Sequence, residues 1–249
     1  MYDWGWRPYV SVATRRKNAQ KVTAKLKKKG EKVSPVVING HLLAKTFWGK
    51  AWCAHLESFS DYANRLPRGR TYVRNGSVIH LHVDHGKVEA LVQGSELYKV
   101  KVDIQTVDPK KWAAILQHCS GQIDSVIELL QGKLSAGVMK TMIDKHNGLF
   151  PTPQEIALDC SCPDWADMCK HVAAVLYGVG NRLDQEPELL FKLRHVNHMD
   201  LIHKAGIKVP AKQSAKSKIL KDADLSVIFG IDIAEGEEDI NQKRSARKP

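Results

Sequence analysis

The sequence has no apolar run long enough to cross a membrane, since a spanning helix needs about 20 consecutive, mostly apolar residues. Its first residues, MYDWGW, also lack the basic start and apolar centre of a secretory signal peptide. Cysteine is scarce: there are five among 249 residues, and three of them cluster, which leaves no disulfide framework. We therefore expect a protein of the reducing cytoplasm.

Acidic residues are nearly absent from the first fifth of the chain. Residues 1–50 contain twelve Lys or Arg and two acidic residues, so most of the net charge of +11 lies there. Concentrated positive charge attracts polyanions and makes their binding salt-dependent. The alternative is a basic segment that only aids solubility. The basic residues that we expect to contact nucleic acid here are Arg15, Arg16, Lys17, Lys27, Lys28 and Lys29.

The sequence also lacks the usual signs of an enzyme. No segment fits the phosphate-binding pattern GxxxxGK[ST], and neither GLFPTP nor QGSELYK approaches it. We find no nucleophile with a paired base. A binding module is therefore favoured over a catalyst.

One short polar segment concentrates metal-ligating side chains in the pattern C-x-C, six residues, C-x-H. Its candidate ligands are Cys160, Cys162, Cys169 and His171. Three thiolates and an imidazole form a common closed, tetrahedral set for one structural Zn²⁺. Buried, unrelated cysteines are the alternative interpretation.

An apolar run follows the cluster and predicts a helix. Positions i and i+2 do not share a helix face, so Cys169 is expected before the helix and His171 in its first turn. Gly178 or Gly180 is expected to end it. We expect zinc to replace a hydrophobic core for residues 156–180, supplying about 10 kcal/mol. Asp164 or Asp167 is expected to accept backbone N–H groups or to hold the free imidazole nitrogen.

Hydrophobic periodicity predicts an α+β fold with an antiparallel β-meander packed with helices, followed by a small zinc-knuckle and helix module. Residues 14–30 and 44–65 have helical spacing, and residues 33–38 are consistent with a short strand. Alternation over about 70–107, with a hairpin at Asn75-Gly76, predicts the meander. The predicted segments are a basic N-terminal segment (1–43), the α+β domain (44–148), the zinc module with following helices (149–206), and a linker with a docking motif and disordered tail (207–249).

The cluster resembles the SWIM zinc finger, C-x-C-x(n)-C-x-H followed by an apolar helix. The Cys-Pro step, the Cys-Lys-His step and the continuation HVAAVLY carry the resemblance. FWGKAWC and the Arg-Gly-Arg-x-Tyr and Val-Gln-Gly-Ser steps extend the resemblance to about residues 44–180, toward a group of bacterial SWIM-containing proteins. That group is often associated with SWI/SNF-type DNA-translocating ATPases.

The resemblance implies one structural zinc and a module that binds DNA, another nucleic acid or a protein. In the first case, Arg68, Arg70, Arg74 and Lys170 join the expected nucleic-acid contacts. In the second, the chain is an adaptor that docks on a SWI/SNF-type ATPase without touching DNA. The apolar motif at 225–232 would then dock on a partner, or otherwise on this chain's own core.

Overall fold

A computed structural model describes residues 10–59, 64–123 and 125–203. Within these ranges, nine α-helices accompany one four-stranded antiparallel sheet, which confirms the predicted α+β class. The helices are α1 (Val12–Lys28), α2 (Phe47–Glu57), α3 (Leu66–Arg74), α4 (Pro109–Cys119), α5 (Val126–Gln131), α6 (Ala136–Ile143), α7 (Lys170–Arg182), α8 (Glu188–Leu193) and α9 (Met199–His203). The strands are β1 (Val78–Asp84), β2 (Lys87–Gln93), β3 (Leu97–Ile104) and β4 (Ile156–Cys160). No helix of the described ranges is long and apolar enough to span a membrane.

The sheet has the order β1-β2-β3-β4, and all of its pairs are antiparallel. Strands β1 to β3 form the predicted meander. Along β3, buried Tyr98, Val100, Val102 and Ile104 alternate with exposed residues, because successive side chains of a strand point to opposite faces. Strand β4, which leads into the cysteine cluster, pairs with β3 and completes the sheet.

The hairpin predicted at Asn75-Gly76 is wrong, because the preceding residues form helix α3. Pro67 lies in its first turn, where a missing N–H costs nothing. Gly76 has a φ of +68°, and this left-handed residue follows the end of a helix instead of turning between two strands. The meander therefore begins at Val78.

Three other predicted boundaries differ from the structure. Helix α2 ends at Glu57, well before residue 65, and residues 60–63 lie outside the described ranges. Residues 33–38 form no assigned strand, but they run beside β1: the Val36 N–H donates to the Val78 carbonyl (3.0 Å) and the Leu81 N–H to the Ser34 carbonyl (2.8 Å). Helix α7 passes both predicted glycines and ends at Arg182.

Helix α7 lies at the centre of the hydrophobic core. Every residue from His171 to Gly180 is buried, and α7 contacts all four strands as well as α2 and α3. The expectation that zinc replaces a core for this segment is therefore wrong, because the helix has a large apolar environment of its own. The predicted division at residues 43, 148 and 206 stays a prediction, and the linker, the motif at 225–232 and the tail lie outside the described residues.

Long-range polar contacts anchor the elements around α7. The indole N–H of Trp48 donates to the Leu129 carbonyl (2.9 Å), and that of Trp52 donates to the Leu176 carbonyl (2.8 Å). Both indoles are buried, so the two tryptophans of α2 are part of the core. Arg194 is fully buried and donates to Glu155 Oε1 at 2.6 Å. This ion pair compensates the guanidinium for the hydration that it loses on burial.

Candidate metal centre

The four predicted ligands come from the end of a strand and the start of a helix. Cys160 is the last residue of β4 and lies opposite Val100 of β3. Immediately after it, the Ser161 N–H donates to the Lys99 carbonyl (3.0 Å), and the Ser161 hydroxyl accepts from the Lys99 N–H (3.0 Å). Strand pairing therefore determines where the chain leaves the sheet and turns toward the cluster.

The second ligand pair straddles the start of α7, as predicted. Cys169 is the N-cap residue, and its Sγ accepts a hydrogen bond from the Val172 N–H at 3.5 Å. His171 lies in the first turn and directs its Nδ1 at the thiols, 3.8 Å from Cys169 Sγ and 3.9 Å from Cys160 Sγ. The start of α7 thus supplies both ligands of this pair, Cys169 from the N-cap position and His171 from the first turn.

The spacing of the donor atoms fits one zinc ion. One donor atom from each of Cys160, Cys162, Cys169 and His171 lies within 4.8 Å of the others. Zinc–sulfur and zinc–nitrogen bonds of about 2.3 and 2.0 Å place neighbouring donors of a tetrahedron roughly 3.5 to 3.8 Å apart. The cluster can therefore hold one Zn²⁺ with small adjustments, and its four protein ligands fill the tetrahedron.

The three thiols influence each other's ionisation. Hydrogen bonding from Cys160, together with contacts from the His171 ring and the Val172 N–H, lowers the pKa of Cys169. The same hydrogen bond to Cys169, together with burial, raises the pKa of Cys160, and burial raises that of Cys162. One thiolate thus forms readily while the other two are opposed. A dication reverses this opposition, because a coordinating thiol is deprotonated outright.

Two tyrosines hold the imidazole of His171. The Tyr98 ring lies 4.4 Å away, tilted by 32°, and the Tyr72 ring meets it edge-on at 5.3 Å. The side chain of His171 is 1% exposed, and within the described ranges its Nε2 has no hydrogen-bond partner. The predicted carboxylate partner for this nitrogen is not observed there, and both tyrosines come from elements distant in sequence, where no local pattern marks them.

The loop between the ligand pairs is fastened at Asp164. This carboxylate accepts a hydrogen bond from the Ala166 N–H (3.3 Å), as predicted. It also forms an ion pair with Arg65, the residue just before α3 (3.4 Å). Within the loop, Met168 is buried, whereas Trp165 is 92% exposed. Trp165 is not among the predicted site residues, although a tryptophan inside a short polar loop is a usable signal of an exposed contact.

Helix α1 and its cap residue present to solvent five of the six nucleic-acid contacts predicted in the N-terminal segment. Arg16, Lys17, Lys27, Lys28 and the cap residue Lys29 are exposed. Arg16 donates to Asn75 Oδ1 at 3.2 Å. Arg15 differs, because it is half-buried and places its guanidinium 4.4 Å above the Tyr72 ring. The structure thus separates one anchoring arginine from a row of solvated cations.

The other predicted contacts lie on α3 and at the start of α7. Arg70 is engaged internally: it pairs with Glu57 at 2.6 Å and donates to the Tyr177 hydroxyl at 2.9 Å. Arg74 donates to the His41 carbonyl at 3.1 Å. Arg68 is exposed, and Lys170 is half-buried. Of the α3 arginines, Arg68 is therefore the one most available to a ligand.

An open groove of about 440 Å³ lies between α1 and the extended segment 35–38. Apolar side chains from Ala19, Val36 and Ile79 contribute to its lining. Three cations also line it: Arg16, Lys27 and Arg74. The groove thus brings cations of α1 and α3, which are distant in sequence, to one side of the molecule.

Comparison with known proteins agrees with this geometry. Residues 147–179 match the family model of the SWIM zinc finger, and this range contains all four ligands. The chain is 36% identical over 163 residues to the uncharacterized protein Rv2102 of Mycobacterium tuberculosis. That alignment covers 64% of this chain and 58% of the relative, so the chain spans little more than half of the relative's length. No solved structure matches the chain.

Proposed function

We propose that this chain, which carries a SWIM zinc finger, is a non-catalytic module that binds nucleic acid through helix α1, with DNA as the expected ligand. The observation that carries the proposal is the charge of α1. The helix contains seven Lys or Arg and no acidic residue, and six of these cations are exposed: Arg16, Lys17, Lys21, Lys25, Lys27 and Lys28. Such a row neutralises phosphates and releases their counterions.

The finger supports this surface from behind. Arg15 of α1 stacks on Tyr72, and Tyr72 in turn contacts the ring of the zinc ligand His171. Cation–π contacts of this kind contribute about 0.5 to 2 kcal/mol. We assign zinc a structural role, because four protein ligands leave it no open position for a substrate. Free thiols in the cluster suit a reducing compartment, so the proposal includes a cytoplasmic location.

The test is fluorescence anisotropy of labelled single- and double-stranded DNA with the zinc-loaded protein across a salt series. The variant replaces Lys21, Lys25 and Lys28 with Gln, which removes three exposed cations from α1. We expect weaker binding and a logarithmic salt slope that is shallower by up to about three, since each lost phosphate contact reduces it by roughly 0.9.

The matched control removes the same charge elsewhere. Lys110, Lys133 and Lys140 are also exposed, so replacing them with Gln changes the net charge equally without touching α1. The control should retain the wild-type slope. Equal losses in both triple variants would show that only net charge matters, and flat, weak binding by the wild type at low salt would end the nucleic-acid proposal.

A second candidate function rests on Trp165. An aromatic side chain held on a fastened loop and 92% exposed resembles the residues that dominate protein–protein interfaces. The neighbouring acids Asp164 and Asp167 disfavour phosphate at this point of the surface. In this alternative the finger loop docks the chain on a protein partner, and a SWI/SNF-type ATPase is the partner that we propose.

The two candidate functions differ in how binding depends on salt and in which residues it requires. Titration of a purified SWI/SNF-type ATPase from the same organism should give binding that Trp165→Ala weakens at least tenfold and that salt changes little. The α1 triple variant should leave that binding unaltered. If calorimetry and native gel electrophoresis both detect no binding to the purified ATPase, this second candidate function is excluded.

A further inference from the structure

Two buried polar atoms have complementary chemistry and no hydrogen-bond partner: His171 Nε2 at the metal centre and Gln93 Oε1 at the end of β2. Within the described ranges, four buried side-chain N or O atoms lack a hydrogen bond. Three are nitrogens that can donate: Arg15 Nε, Arg194 Nε and His171 Nε2. The fourth is an acceptor, Gln93 Oε1. Gln93 and His171 are 4% and 1% exposed, so bulk water does not satisfy either of them.

The orientation of His171 determines what its second nitrogen needs. Its Nδ1 faces the thiols of Cys160 and Cys169. When Nδ1 binds zinc, the neutral imidazole must carry its proton on Nε2. That N–H then requires an acceptor, and metal-ligating histidines nearly always have one, which fixes both ring orientation and basicity.

The backbone next to Gln93 leaves no room for a side chain beside this nitrogen. A Cβ built on Gly94 would lie 2.8 Å from His171 Nε2 and 2.8 Å from Tyr98 Cε2. Only glycine therefore allows the turn between β2 and β3 to approach the imidazole so closely. The Gln-Gly-Ser step, which belongs to the Val-Gln-Gly-Ser part of the resemblance, is the segment that approaches the imidazole on its Nε2 side.

The turn is also held in place on both sides of Gly94. The Gln93 N–H donates to the Ser77 carbonyl (2.8 Å), and the Gly94 N–H donates to the Glu96 carbonyl (2.8 Å). The Ser95 and Tyr98 hydroxyls lie 2.7 Å apart. The amide of Gln93 donates to the Gly94 carbonyl at 3.2 Å. Its Oε1 is left without a partner, one residue from the glycine that approaches the ring.

We propose that Gln93 is the positioning residue of the zinc site: in the zinc-loaded protein its Oε1 accepts the Nε2–H of His171, directly or through one buried water. This contact selects the tautomer in which Nδ1 is free to bind zinc. The proposal concerns the metal centre alone and does not depend on what the surface of the protein binds.

The test compares two substitutions that differ only in the acceptor. Gln93→Leu removes it, whereas Gln93→Glu retains an oxygen at the same reach. Zinc affinity is measured on the folded full-length chain by competition with a chromophoric chelator. We expect Gln93→Leu to bind zinc 10- to 100-fold more weakly and Gln93→Glu to remain within a few-fold of the wild type.

A spectroscopic measurement on the wild type keeps the test independent of how the variants fold. In the zinc-loaded protein with ¹⁵N-labelled histidine, the Nε2–H of His171 should be observable and protected from exchange with water. Gln93→Leu should lose this protection and Gln93→Glu should keep it. Wild-type zinc affinity in Gln93→Leu, equal loss in both variants, or a rapidly exchanging Nε2–H in the wild type would each overturn the proposal.

Discussion

Gly69 of α3 lies where that helix crosses α7, and replacing it with alanine tests the packing of the core. A Cβ at this position would lie 2.5 Å from Ala173 Cβ, 2.9 Å from Ala173 C and 3.0 Å from Ala174 N. Two of these three atoms are backbone, so no side-chain rotation relieves the clash. Because carbon atoms prefer separations of 3.5 to 4.0 Å, α3 must move away from α7 by roughly 1 Å.

Two opposing contributions determine the magnitude. Alanine is favoured over glycine inside a helix by about 1 kcal/mol. Overpacking a well-filled core costs about 1 to 3 kcal/mol, and more where the backbone must shift. Because the obstruction at Gly69 is backbone, we expect the upper part of that range. The net prediction is a loss of about 1 to 2 kcal/mol in the free energy of unfolding.

The same substitution at Gly137 of α6 provides a control with the opposite sign. There the nearest atoms to a new Cβ are Gln122 Oε1 at 3.7 Å and Ser135 Oγ at 3.9 Å, which are ordinary contacts. Helix propensity then acts alone, and Gly137→Ala should gain up to about 1 kcal/mol.

Urea unfolding of the zinc-loaded protein, followed by circular dichroism, measures both variants. The midpoint should fall for Gly69→Ala and rise for Gly137→Ala, with the slope unchanged in each. A Gly69→Ala protein as stable as the wild type, beside a Gly137→Ala protein that behaves as expected, would show that α3 and α7 are not in the close contact described.

Two further predictions concern the metal and pH. Cys162→Ser should reduce bound zinc from one ion per chain toward none by elemental analysis, whereas Cys53→Ser, which lies outside the cluster, should retain it; full zinc content in Cys162→Ser would remove that thiol from the site. Burial lowers the pKa of His55 below 6.5, so the folded state favours the neutral ring. Stability from this group is therefore present above pH 6.5 and lost as pH falls, because the unfolded chain takes up the proton. His55→Phe should flatten the decline between pH 7 and 5 in urea unfolding, and an unchanged decline would contradict this.

The metal ligands were predictable because the information lies within twelve consecutive residues. Four donor side chains and the start of α7 follow from spacing alone, and the structure brings those donors together. The outer contacts of His171 were not predictable in this way. The two tyrosines reach the ring from β3 and α3, and only the fold makes them its neighbours.

Two errors have physical explanations that the sequence contained. Asn-Gly favours a hairpin, but it also follows helices well, because both structures use a left-handed residue; Pro67 was the discriminating signal, since it starts a helix. The apolar run after His171 has no polar face, and a helix that is apolar all round is buried in a core. That rule predicts the central position of α7.

The pairing of β4 with β3 has a consequence for portability. The segment that matches the finger, 147–179, has the length of a module that could be moved between proteins. In this chain its strand completes a sheet built by residues upstream, and its helix is covered by that sheet and by α2 and α3. A synthetic peptide of this segment would keep its four ligands and lose nearly all of its burial. Zinc alone would then have to organise it, and grafting the finger would require transplanting β3 as well.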